Sequence, residues 1–285
     1  MRRMSGGACL SEAGHQRSWG ELRLSFKRRG ADTVLDGLRQ DGCLKARFPR
    51  AERGAWAAAV TLNSSGGVAG GDRLATCIGV GAGASATVAS QAAERFYRAL
   101  PGAVATVETN LRVAEGAALE WLPQESILFD RCAVRRALRI ELAGDAWFLG
   151  VESLVFGRTA MGEEVHRAGF RDLIEVRREG RLLLHDAIRF DGEVQAVLAR
   201  PASGGGGRAV ATLVHAGPDV EALVGPMRAG LGAFEAGMFE AGASAWDGML
   251  VVRIVAVDGA CLRRAVVAGL GIVRGGRPLP RVWLC

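Results

Sequence analysis

Apolar and polar residues alternate with a period of two along roughly the first two hundred positions of the chain. In "ELRLSF", Leu22, Leu24 and Phe26 fall on one face and Glu21, Arg23 and Ser25 on the other, as in a strand with one buried side. The runs "WAAAVTL" (56–62), "LATCIGV" (74–80), "ATVAS" (86–90), "VATVETNLRVA" (104–114), "RALRIEL" (136–142), "FLGVESLVF" (148–156) and "DLIEVRREGRLLLHDAIRF" (172–190) continue the pattern, punctuated by glycines and Asp-Gly or Glu-Gly turns. So many short strands with so little helical periodicity predict a mainly β architecture. The period alone leaves sandwich and solenoid open, and there is no internal sequence repeat.

The pattern changes after "PASGGGGRA" (201–209), whose four consecutive glycines cannot pack a core and mark a loop. Val220, Leu223, Val224, Met227 and Leu231 then follow a helical spacing behind Asp219, a candidate cap. "MLVVRIVAV" (249–257) reads as a buried strand. Asp258 precedes a second helix bearing Leu262, Val266, Leu270 and Val273, which Gly275 and Gly276 close. The expected organisation is a single domain over 1–285: a β-rich body (19–200), the glycine-rich loop (201–209) and a C-terminal α+β portion (208–285).

Composition narrows the functional classes. A chain of 285 residues with 49% apolar content can bury a full core. No apolar stretch approaches the roughly 20 residues of a membrane span, and "MRRMSGGACLSEAGHQ" lacks the apolar centre of a signal peptide. A cytoplasmic protein without membrane contact is therefore expected. Cys9, Cys43, Cys77, Cys132, Cys261 and Cys285 form no C-x-x-C, and His15, His166, His185 and His215 form no H-x-x-x-H. These spacings disfavour zinc fingers, zincins and an exported disulfide framework. The net charge of +6 comes from residues 1–53, with 12 Lys/Arg against 6 Asp/Glu, because the remainder balances at 24 against 24. A basic edge attracts nucleic acid or an acidic protein, but this one lies on strand-like segments with almost no aromatic residues between its charges. It reads first as a solvated face, with no nucleic-acid partner expected.

"LNSSGGVAGGDRL" (62–74) invites a phosphate-binding reading, which fails. A P-loop needs Lys and Ser/Thr where this chain has Asp72 and Arg73. Gly66, Gly67, Gly70 and Gly71 read instead as a tight turn. Gly79, Gly81 and Ala84 match a loose dinucleotide pattern, but a strand follows where a helix N-terminus is required. There is no G-x-S-x-G, so no nucleophile signature is present.

Six segments, taken in order, carry a resemblance: "GGVAGGDRL" (66–74), "QAAERFYR" (91–98), "LEWLPQESILFD" (119–130), "FLGVESLVFGRTAMGE" (148–163), "RREGRLLLHD" (177–186) and "LPRVW" (279–283). From about Trp19 to its end the chain resembles the urease accessory protein family UreD, also called UreH. The resemblance implies a β-helical stack with a few C-terminal helices. It also implies a non-enzymatic protein that helps to load nickel into apo-urease, binds UreF, reaches the GTPase UreG through UreF, and docks on the urease subunits.

No tightly bound cofactor is implied, only nickel in transit along acidic side chains. By position in the motifs these are Asp72, Glu152 and Asp186. Glu94 stands where the family can carry a small residue, and His185 adjoins Asp186. Trp121, Pro123, Pro280 and Trp283 are candidate partner or packing contacts. Carboxylates suit such a role, since nickel binds them more weakly than imidazole or thiolate and a conduit has to release its ion. The same residues also have ordinary readings. An Asp after Gly-Gly caps turns, and Glu152 or Asp186 can pair with an arginine. Two other functions stay open: a β-rich small-molecule enzyme using Asp72, Glu152 and Asp186 as acid and base, and a nucleic-acid module in residues 1–53.

Overall fold

Strands that pair in parallel while alternating between two facing sheets build the body of the protein. The computed structural model describes residues 17–50, 55–158 and 162–284. Cys9, Cys285, His15, the first sixteen positions of the basic segment and residues 159–161 of one resemblance block lie outside the described residues.

β1 (Trp19–Arg29) forms a hairpin with β2 (Asp32–Gly42), and β3 (Leu44–Arg47) another with β4 (Ala57–Asn63). From β4 the chain coils. β5 (Arg73–Val80) pairs with β1 in one sheet, and β6 (Ser85–Ser90) returns beside β4 in the other. β8 (Ala105–Val113), β11 (Ala133–Leu142) and β13 (Arg167–Arg178) then stack beside β5, while β9 (Ala118–Leu122) and β12 (Trp147–Phe156) stack beside β6. Every one of these pairings is parallel, so successive passes form the turns of a β-helical stack.

Two short strands, β7 (Glu94–Phe96) and β10 (Ser126–Leu128), make a third side, with β10 also pairing the end of β12. Val68, Phe96, Leu128 and Phe156 pair one above the next along it, all fully buried.

β14 (Arg181–Glu193) closes the first sheet as a hairpin with β13, giving seven strands in the order β14-β13-β11-β8-β5-β1-β2. The second sheet, of ten strands, continues antiparallel from β12 through β15 (Ala209–Ala216) and β17 (Met249–Ala256) to β16 (Phe239–Trp246).

Period-two patterning decides what each face meets. Leu22, Leu24, Phe26, Ile78, Leu111, Ile140 and Ile174 point between the sheets and are buried with Phe148 and Phe156. The outer face of the ten-stranded sheet is apolar as well. Leu149, Val151, Leu213 and Val252 form a second core with Met227, Leu262, Val266 and Leu270 of α2 (Val220–Gly232) and α3 (Gly259–Arg274). Strands covered on both faces are therefore apolar almost throughout, as in "MLVVRIVAV".

Asp258 caps α3 by accepting from the Cys261 amide (2.7 Å), and Gly275 ends it in the left-handed region (φ 57°). Asp219 departs from the expectation. It stands at the N-cap of α2 with a left-handed φ of 55°, and its side chain makes no capping bond. A five-residue helix, α1 (Val194–Leu198), precedes the glycine-rich loop. No helix among the described residues is long and apolar enough to cross a membrane.

The stretch 64–72 is a crowded turn from β4 into β5. Gly67 (φ 146°) lies where a Cβ would collide with the ring of Tyr97, and one at Gly70 would lie 2.6 Å from the Ala99 methyl. Gly66, whose carbonyl accepts from the Tyr97 hydroxyl (2.9 Å), and Gly71 also take positive φ. Asp72 ties the turn to the start of β1: Oδ1 accepts from the Ser18 amide and Oδ2 from the Ala69 amide, both at 2.8 Å. Replacing Asp72→Ala is expected to cost about 2–3 kcal/mol of stability, read by urea denaturation. A change below about 0.5 kcal/mol contradicts this tethering role.

Candidate functional site

Along β12 the inward positions read Phe148, Gly150, Glu152, Leu154 and Phe156, so one carboxylate interrupts an apolar face. The facing sheet carries matching interruptions: Arg136 between Val134 and Leu138, and Asp172 between Phe170 and Ile174. The parallel register sets Arg136 beside Asp172. The guanidinium grips Asp172 with two bonds, Nε to Oδ1 at 2.8 Å and Nη2 to Oδ2 at 2.6 Å. Its Nη1 reaches across the sandwich to Glu152 Oε2 (2.7 Å) and donates to Ser126 Oγ (2.9 Å). The other oxygen of Glu152 accepts from Trp121 Nε1 (2.8 Å).

Two carboxylates and one guanidinium leave one negative charge in excess when all are ionised. Burial pushes the Glu152 carboxyl above its ordinary range, with Asp172 adding to the shift while Arg136 and the Trp121 bond oppose it. For Arg136, burial pulls downward, but Asp172 and Glu152 outweigh it and hold the guanidinium charged. Buried ion pairs of this kind repay their desolvation poorly, so stability alone gives little reason for the cluster.

Glu152 stands between two voids. On one side a cavity of about 270 Å³ opens, bordered by Glu94, Pro123, Gln124, Arg136 and Trp121. Glu94 accepts from Asn63 Nδ2 (3.2 Å), and burial lifts its carboxyl above the ordinary range, partly offset by that bond and by the Arg95 amide. On the other side lies a void of about 10 Å³, the room of a single water. Glu152, Asp172, Asp186 and Thr212 contribute to its wall. Asp186 Oδ2 meets Arg253 Nη1 at 2.8 Å, and the 54% exposed Arg253 side chain brings this end of the polar line to solvent. Glu94, Glu152, Asp172 and Asp186 thus follow one another through the interior. Among the described residues no group of three or more His, Cys, Asp or Glu is arranged to hold a metal ion.

The remaining sequence candidates lie elsewhere. Asp72 has both oxygens engaged by backbone amides and borders neither void. His185 follows strand alternation to the opposite face from Asp186. It is 56% exposed, with Nδ1 3.5 Å from Glu175 Oε2. Trp121 and Trp283 are buried inside the chain. Trp283 Nε1 donates to the Leu122 carbonyl (3.0 Å), and Gln124 donates to the Val282 carbonyl (2.7 Å), so the C-terminal 3-10 turn Arg281–Trp283 braces the loop beside the cavity. Pro123 is in the cavity wall, and Pro280 begins that turn.

His215 is buried with Nδ1 2.8 Å from the Phe148 carbonyl, and burial lowers its pKa. Burial pushes the Cys132 thiol up to about 12, far from the thiolate a nucleophile requires. Arg136 and Asp172 were missed by the sequence reading, although each is a charged residue at an inward position of an alternating strand.

A family model described as UreD urease accessory protein matches residues 18–284. The chain is 47% identical to the urease accessory protein UreD of Methylobacterium sp. (strain 4-46), over 94% of this chain and 95% of that protein. It is 44% identical to the UreD of Xanthobacter autotrophicus (94% and 90% covered) and 43% identical to that of Rhizobium etli (94% and 96% covered).

Two outcomes follow from the buried charges. Arg136→Met leaves two carboxylates unpaired in the core and is expected to cost about 3–5 kcal/mol in chemical denaturation; a loss under about 1 kcal/mol contradicts the clamp. Glu94 holds its proton to higher pH folded than unfolded, so its contribution is complete below the ordinary carboxylate range and is lost as pH rises through the raised value. Glu94→Gln should therefore melt above wild type at neutral pH, and the advantage should shrink on acidification. A pH-independent difference in calorimetry contradicts this assignment.

Proposed function

The chain belongs to the UreD urease accessory protein family, and on that premise we propose that it is a non-enzymatic cytoplasmic scaffold through whose interior nickel passes to apo-urease. UreF is its direct partner in this reading, the GTPase UreG joins through UreF, and the urease subunits receive the ion. One observation carries the proposal: the line of carboxylates Glu94, Glu152, Asp172 and Asp186, which runs from a cavity through a largely apolar sandwich to solvent beside Arg253.

The chemistry supports transit rather than storage. Nickel held by carboxylate and water is held less tightly than by imidazole or thiolate, and carboxylates spaced along a path take the ion up without trapping it. With Glu152 ionised, the cluster of Glu152, Arg136 and Asp172 carries one excess negative charge, which favours a cation. Arg136 holds the two inner carboxylates in place and stands as the positive charge the ion must pass. The cavity of about 270 Å³ has room for an ion with part of its water shell. Asp72 enters this account as a structural tether. An acid–base enzyme built on Asp72, Glu152 and Asp186 is disfavoured, because two backbone amides engage the first and Arg253 pairs with the last.

The test replaces Glu152→Gln and Asp186→Asn in a urease-positive host whose own copy of the gene is deleted. Complexes with UreF should form as in wild type, while urease nickel content and activity should fall by roughly tenfold or more. Full nickel loading by the double variant contradicts the passage, and full urease activity in the deletion strain contradicts the maturation role itself.

A further inference from the structure

The outer face of the seven-stranded sheet carries a charge pattern that the fold does not use. The registers of β1, β5, β8, β11, β13 and β14 align Trp19, Arg73, Thr106, Arg135, Arg171 and Arg189 in one row across the strands. Five strand spacings make the row roughly 24 Å long. Its four arginines are exposed, and Trp19 at its end is 52% exposed. Arg189 pairs with Asp191 (3.0 Å). Arg73, Arg135 and Arg171 make no side-chain ion pair or hydrogen bond among the described residues. Arg135 and Arg171 are direct neighbours on adjacent strands, and like charges so placed repel.

Two features beside the row point to a docking face. The next row on the same face is apolar where it crosses β11, β13 and β14, with Ala137, Leu173 and Ala187 side by side. On the other flank a groove of about 650 Å³ opens, bordered by Arg98, Arg131 and Arg167, with Leu100 47% exposed. The ion pairs of Arg131 with Asp130 and Arg167 with Glu193 are at the surface and weak enough to exchange. α2 and α3 cover only the other sheet.

We propose that this face binds a partner protein through an acidic surface, the partner's carboxylates lying along the arginine row and an apolar side chain over Leu173. A nucleic-acid strand fits less well. Among the described residues the face offers one exposed aromatic for base stacking, the apolar strip has no role against phosphates, and Glu21 and Glu108 on the same face repel them. Exposed arginines with a tryptophan at one end of the row and apolar residues beside the other match the composition of protein interfaces. The proposal goes beyond the nickel passage and stands or falls separately from it.

The test uses the full chain and two labelled probes, a peptide of ten glutamates and a ten-residue oligothymidylate, titrated by fluorescence anisotropy at about 50 mM salt. The peptide should bind, and Arg135→Glu with Arg171→Glu should weaken it roughly tenfold or more. A charge-matched control off the face, Arg50→Glu with Arg200→Glu, should change binding by less than about twofold. Arg135→Glu alone, which turns a like-charge pair into an opposite one, should melt at or above the wild-type temperature while losing affinity. Absent peptide binding, equal loss in both double variants, or tighter oligothymidylate binding that depends on the same two arginines would each overturn the proposal.

Discussion

Arg136 joins the two sheets through charged groups inside their shared interior. Its guanidinium takes both oxygens of Asp172 within its own sheet and one of Glu152 across the gap. In an apolar medium an unpaired charge is costly, so each of the three groups fixes the other two. That fixed cluster divides the interior into a cavity toward Glu94 and a small void toward Asp186. Without the guanidinium, both carboxylates lose the partner that holds them in place.

The coil makes this placement available. A parallel register repeated between β8, β11 and β13 brings residues far apart in sequence to one level. The third side, stacked as Val68, Phe96, Leu128 and Phe156, keeps the coils in step and leaves the cavity walled by the loops beside β7 and β10. α3 and the final turn then brace one of those loops through Trp283 and Gln124. The two sheets end up with different outer faces: one buried under helices, the other exposed and rich in arginine.

Much of the strand framework was legible in the sequence because alternation is a local signal. β2, β3, β7, β9, β10, β15 and β16 were missed. β9 and β15 are buried along most of their length and so do not alternate, β2 and β16 are mostly exposed and contain glycine, and β3, β7 and β10 span only three or four residues. The coiling was not legible from period alone, since a parallel ladder requires only apolar inward positions and no repeated motif.

Glu152 and Asp186 came from the resemblance. Arg136 and Asp172 were readable as charges on inward positions, but nothing local pairs residues 36 apart in sequence. His185 was misleading for an elementary reason: sequence neighbours on a strand face opposite ways. Asp219 shows the limit of cap signals, because a left-handed backbone turns its side chain from the helix amides.

Nickel transit requires a cation to enter the polar line, and anomalous diffraction at the nickel edge from crystals soaked in nickel observes this directly. It predicts anomalous density inside the sandwich, in the cavity between Glu94 and Glu152, that disappears in Glu152→Gln. Nickel confined to surface histidines such as His185, with an empty interior, would contradict it.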